Sequence, residues 1–90
     1  MNQLVRTLAV EWAEYGIRVN AIAPGYVENI MASVQAHSDP ASEERIRRFT
    51  PLGGRATVDE VAAPFVFLAS RAAAYITGTV LAVDGGYTAA

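Results

Sequence analysis

Two short apolar runs of strand character, Ile-Arg-Val-Asn-Ala-Ile-Ala at 17–23 and Thr-Val-Leu-Ala-Val-Asp at 79–84, each follow a helical stretch and a turn. Helix, short turn and buried strand is the rhythm of a parallel α/β sheet. Two such strands joined through a helix imply one right-handed βαβ unit. Two strands do not make an independently stable sheet, so the pattern predicts apolar faces in want of neighbours. Ile17, Val19 and Ala21 share one face of the first run and Ile22 lies on the other, while Pro24-Gly25 ends it. Gly85-Gly86 ends the second run.

The helical stretches carry their own signals. Leu4, Val5, Leu8, Ala9 and Trp12 recur at helical spacing, which predicts a helix from Met1 to about Tyr15. Gly16 suits the left-handed position just past its end. No capping residue precedes Met1 and the apolar stripe begins at once, as in a helix entered midway. Asp39-Pro40, with Glu43 and Glu44 following, predicts a short helix from Asp39 as N-cap to about Phe49. Thr50-Pro51-Leu52-Gly53-Gly54 breaks it. Thr57 and Glu60 form a capping box for a third helix reaching about Ser70, with Val61, Phe65, Leu68 and Ala69 as the expected buried stripe. Pro64 removes one backbone hydrogen bond inside it, and a kink is expected there. Residues 26–38 and 71–78 are expected to be irregular.

Composition narrows the function classes. The 90 residues are 52% apolar and 18% charged, unlike a disordered chain. The net charge of −2 lacks the basic footprint of a nucleic-acid binder. No cysteine is present, so disulfides and thiolate metal sites are excluded, and His37 is the only histidine. No apolar run reaches the ~18 residues of a membrane span, and Met1-Asn2-Gln3-Leu4 lacks the plan of a signal peptide. A soluble, cytoplasmic protein is expected, bound to neither membrane nor nucleic acid. All seven basic residues are arginine and there is no lysine.

The run Gly16-Ile17-Arg18-Val19-Asn20-Ala21-Ile22-Ala23-Pro24-Gly25-Tyr26-Val27 resembles the sixth strand of classical short-chain dehydrogenases/reductases. Ala69-Ser70, Tyr75-Ile76-Thr77-Gly78 and Val83-Asp84-Gly85-Gly86 resemble the end of the same family, and Pro51-Leu52-Gly53 and Glu60-Val61-Ala62 its middle. The nearest-looking subgroup is the 3-oxoacyl-carrier-protein reductase type, with sugar and polyol dehydrogenases beside it. The resemblance implies an α/β fold: the carboxyl-terminal βαβ portion of a Rossmann-type, doubly wound parallel sheet, in the order helix, strand, lid helix, helix, strand. Residues 1–90 would then be the carboxyl-terminal fragment of a single domain, with 28–50 as its substrate lid.

In that family the stretch matching Pro24, Gly25 and Val27 lies against the nicotinamide, with the Val27 backbone bonding its carboxamide. Asn29 stands where many members carry a threonine that contacts the carboxamide or phosphates, and Ile30 replaces a common proline. Pro24, Gly25, Val27 and Asn29 are therefore the expected contacts to NAD or NADP. No catalytic residue is expected within the chain. The family's tyrosine is followed four positions later by lysine, but Val19, Ile30 and Thr79 stand four after Tyr15, Tyr26 and Tyr75. The glycine-rich pyrophosphate turn is also missing: neither Gly53-Gly54 nor Gly85-Gly86 sits between a first strand and a helix.

Other residues have blander readings. Met31, Val34, Ile46 and Phe49 either line an apolar substrate pocket or anchor the short helix. His37, alone in a loop, is not expected to catalyse. Arg45, Arg47 and Arg48 fit a solvated helix face better than an anion site. Asp84-Gly85-Gly86 offers one carboxylate, too few for a metal cage, and the resemblance implies a structural and subunit-contact element there. Trp12 reads as core or subunit interface. The resemblance implies part of an NAD(P)-dependent oxidoreductase acting on a carbonyl/alcohol pair, a homo-oligomer in its full-length form. The alternative is a non-catalytic association module docking onto full-length relatives.

Overall fold

The computed structural model describes residues 2–28 and 39–89. Its first element is α1, Asn2–Trp12, which tightens into a single 3-10 turn at Ala13–Tyr15. Gly16 closes the turn in the left-handed conformation, φ 73°, with its amide on the Ala13 carbonyl. β1 is Ala21–Pro24, α2 is Pro40–Phe49, α3 is Val58–Ala69 and β2 is Val80–Val83. Further 3-10 turns lie at Arg71–Ala73 and Tyr87–Ala89.

The capping chemistry explains where the helices start. The Asp39 carboxylate accepts from the Ser42 amide at 2.7 Å, ahead of Pro40 at the first helical position. Thr57 accepts from the Glu60 amide at 3.1 Å while Glu60 accepts from the Thr57 amide at 2.8 Å, so both halves of the capping box form. α3 runs unbroken through Pro64.

β1 and β2 pair in parallel, Ala21 opposite Val80 through Pro24 opposite Val83. β1 is shorter than the predicted run. Residues 18–20 meet the turn ahead of β2 through side chains and through one backbone bond, from the Gly78 amide to the Val19 carbonyl at 2.8 Å. Asn20 donates to the Ile76 carbonyl at 3.0 Å and accepts from the Thr79 amide at 3.1 Å. The Val19 amide donates to the Thr77 hydroxyl at 3.0 Å, and the Arg18 guanidinium reaches the Ile76 and Ser70 carbonyls. These asparagine and threonine contacts interleave with backbone bonds at the entrance of the ladder, where the Ala21 amide donates to the Thr79 carbonyl at 3.0 Å.

The core is small. Among the described residues Val5, Ala9, Ile46 and Ala73 are its buried apolar side chains. α1 packs on the turn before β2, where Ala9 faces Gly78. The stripe predicted on α3 is not buried: Val61 and Leu68 are half-covered, while Phe65 and Ala69 are exposed. A sheet of two strands is only ~5 Å across between strand axes and cannot cover a whole helix face. Leu4 and Trp12 of the α1 stripe are likewise exposed. The radius of gyration, 15.9 Å, exceeds the ~12 Å expected of a compact chain this long. Among the described residues no helix is long and apolar enough to cross a membrane.

Candidate functional site

Because the two strands are parallel, Pro24 and Val83 end at the same edge of the sheet. Beyond it the chain is held on a second partner. Val27 pairs with Ala56 in a one-residue parallel bridge. The Ala56 amide donates to the Tyr26 carbonyl and the Glu28 amide to the Ala56 carbonyl, both at 2.8 Å. This ladder leaves Val27's own amide and carbonyl outside it. Glu28 then accepts from the Val58 amide at 3.0 Å, placing a carboxylate at the first turn of α3, where the helix dipole favours one. Part of the stretch read as irregular, 26–28, is thus firmly paired.

Gly25 donates to the Val83 carbonyl at 3.1 Å. Its φ is not positive. The reason for glycine is a close approach: a Cβ there would lie 2.9 Å from both Cα and Cβ of Asp84. The space that a side chain would need is taken by the neighbouring strand end, not left open for a ligand.

Arg55 is the residue that sequence reasoning missed. Its Nε donates to both Glu43 carboxylate oxygens, at 2.9 and 3.2 Å, and Nη2 lies 2.9 Å from Oε1. Nη1 donates to the Val27 carbonyl at 3.0 Å. The guanidinium also lies over the Tyr26 ring, 5.9 Å from its centroid, and Tyr26 meets Tyr87 edge to face at 5.7 Å. Nothing in the local pattern marks Arg55, since its partners are 12 and 28 positions away.

Asp84 folds its own turn. It accepts from the Gly86 and Thr88 amides and from the Thr88 hydroxyl at 2.7 Å. The Thr88 hydroxyl and amide hold the carboxyl below its ordinary value of 3.8. The turn is also tied to the 50–52 segment, the Leu52 amide donating to the Gly85 carbonyl at 3.0 Å. Among the described residues no three of His, Cys, Asp and Glu gather where they could hold a metal. A cavity of about 330 Å³ lies between this turn and the 50–56 segment. On its wall Thr50 is buried, its hydroxyl without a partner among the described residues.

Of the expected cofactor contacts, Pro24, Gly25 and Val27 come together at the strand ends, whereas Asn29 lies outside the described residues. Ile30, Met31, Val34 and His37 lie outside them as well. Ile46 is buried and Phe49 exposed, both beside a cavity of about 300 Å³ under α2. Arg45, Arg47 and Arg48 are solvent-facing, and Arg47 pairs with Glu44 at 2.9 Å. Among the described residues no acceptor meets the Val27 amide, and the Val27 carbonyl, with one lone pair on Arg55, retains a second.

The family model described as Enoyl-(Acyl carrier protein) reductase matches residues 1–88. The chain is 50% identical over 88 residues to a galactitol 2-dehydrogenase (L-tagatose-forming) of Cereibacter sphaeroides, covering 98% of this chain and 34% of that protein. It is 42% identical to a sorbose reductase of Candida albicans, covering 94% of this chain and 29% of that one. A crystal structure of a putative short-chain alcohol dehydrogenase from Sinorhizobium meliloti superposes with a TM-score of 0.87 at 40% identity, covering 99% of this chain and 35% of that one. The chain spans about a third of the length of the relatives it matches.

Proposed function

The chain belongs to the short-chain dehydrogenase/reductase family, and from that premise we propose that it forms the carboxyl-terminal third of an NAD(P)-dependent oxidoreductase interconverting a carbonyl and an alcohol. When bound, the nicotinamide supplies the hydride. The part of this chain is to hold it. Pro24, Gly25 and Val27 form the wall behind the ring, with the Val27 amide and carbonyl directed to the carboxamide. Asn29 is proposed as a further contact. α2 belongs to the substrate lid, and the assembled enzyme is a homo-oligomer. Tyrosine, lysine and the pyrophosphate turn come from sequence outside these 90 residues, so the chain alone is inactive and binds nucleotide poorly. The observation that carries the reading is the Val27 backbone, held in register by Ala56 yet outside that ladder. A small polyol or ketose is the favoured substrate class, on the 50% identity to a galactitol 2-dehydrogenase.

The test is a fusion. The chain replaces the matching segment of the Cereibacter sphaeroides galactitol 2-dehydrogenase, and nucleotide binding and polyol oxidation are measured. A folded fusion that binds NAD(P)H and turns over supports the proposal. A folded fusion with no nucleotide affinity sinks it. The 90 residues alone should not oxidise NAD(P)H with any ketone above a buffer blank.

A further inference from the structure

One guanidinium joins two segments that the chain keeps apart. α2 approaches the strand-end turn 25–28 through Glu43, and Arg55 grips that carboxylate with Nε and Nη2. The same side chain donates from Nη1 to the Val27 carbonyl. Its position is fixed from behind, because the next residue, Ala56, is paired on both sides with Tyr26 and Glu28. The planar fork of arginine can serve a carboxylate and a carbonyl at once, whereas a lysine ammonium on its flexible stem concentrates its donors at one point. Tyr26 lies under the guanidinium and limits its swing. At 23% exposure the Arg55 side chain is shielded more than the outer ion pair of Arg47 with Glu44, exposed at 62% and 66%. A shielded, bidentate pair resists salt better than an exposed one.

We infer that Arg55 is a positioning residue: it ties helix α2 and the Val27 turn together, so that the helix beside the substrate and the backbone proposed to meet the nicotinamide keep one mutual placement. The role in catalysis rests on the assignment of Val27 above, whereas the coupling itself does not. Arg55 touches neither reacting group and acts through Val27 and Glu43.

Hydrogen exchange of the folded galactitol 2-dehydrogenase fusion in the absence of nucleotide, read by mass spectrometry over segments 26–28 and 40–49, tests the coupling. Glu43 makes no hydrogen bond to 26–28 among the described residues. Glu43→Ala should nevertheless speed exchange of 26–28, by about tenfold if one charge-assisted hydrogen bond is lost there. In an Arg55→Ala background the same change should have no further effect on 26–28. Arg55→Lys should keep one segment slow and release the other. Exchange at 26–28 that ignores Glu43→Ala overturns the inference, as does fast exchange of both segments in the unaltered fusion. If Arg55→Ala unfolds the fusion, Glu43→Ala and Arg55→Lys decide. A fusion that binds no nucleotide, with coupled exchange intact, removes the catalytic role and leaves the coupling standing.

Discussion

Gly25 and Asp84 close the carboxyl ends of adjacent strands so tightly that a Cβ on the first would sit 2.9 Å from the backbone and side chain of the second. Both contacts are rigid, so the strand ends must part to admit a methyl group. Gly25→Ala should cost about 1–3 kcal/mol, the range for overpacking. Urea unfolding of the fusion in the absence of nucleotide measures it. Unchanged stability with weakened NAD(P)H binding would restore a ligand-facing reason for the glycine. Val27→Ala should do much less, because the bridge to Ala56 and the proposed contact both use its backbone.

Thr57→Ala removes the hydroxyl that accepts from Glu60 and breaks one half of the capping box. The expected loss is about 1 kcal/mol. Thr57→Ser keeps the acceptor and should retain most of the stability. A Ser variant as unstable as the Ala variant would show that the cap is not the cause.

Two carboxylates make stability depend on acid. The Ser42 amide holds the Asp39 carboxyl below 3.8, and the Thr88 hydroxyl and amide hold Asp84 there too. A carboxyl whose folded value is lowered stabilises above its unfolded value and loses that contribution as pH falls through the folded one. Stability should therefore be level above the ordinary carboxylate range and decline below 3.8. Asp84→Asn, which cannot titrate, should flatten part of that decline. A pH profile identical to that of the unaltered protein would exclude Asp84 from it.

Val10, Leu52, Val66 and Tyr75 stand largely in solvent, and α3 buries none of its residues. Exposed apolar side chains in this number promote association. At micromolar concentration the 90-residue chain should elute from gel filtration as oligomers or aggregate. A monomer with a single cooperative thermal transition would contradict this. Supplying the missing segment in the fusion should suppress the association.

Local signals were legible and non-local ones were not. Asp39 with Ser42, and Thr57 with Glu60, lie within one turn, so the residue types alone predict their bonds. Gly16, Pro24 and the end of β2 likewise follow from backbone preference. The burial of Phe65 depends on which surface lies opposite, and spacing carries no information about that. Spacing also overextended β1, because Asn20 and Thr77 satisfy the backbone with side chains where a ladder was expected. Gly25 was read as a cofactor contact, whereas the neighbour that demands a glycine there, Asp84, lies just past the other strand and could not be read along the chain. Arg55 escaped notice for the same reason.

Parallel pairing has a consequence in time. Asn20 and Thr79 are 59 positions apart, and the sheet they introduce is built from that one long-range match. The entropy of closing such a loop is lost before any strand contact is gained. During synthesis β1 cannot pair with β2 until residue 83 has emerged. Helices α1 and α2 can flicker locally in that interval, but nothing in them fixes the strand. The strand ends that carry the candidate site therefore take their mutual placement only once both strands are present.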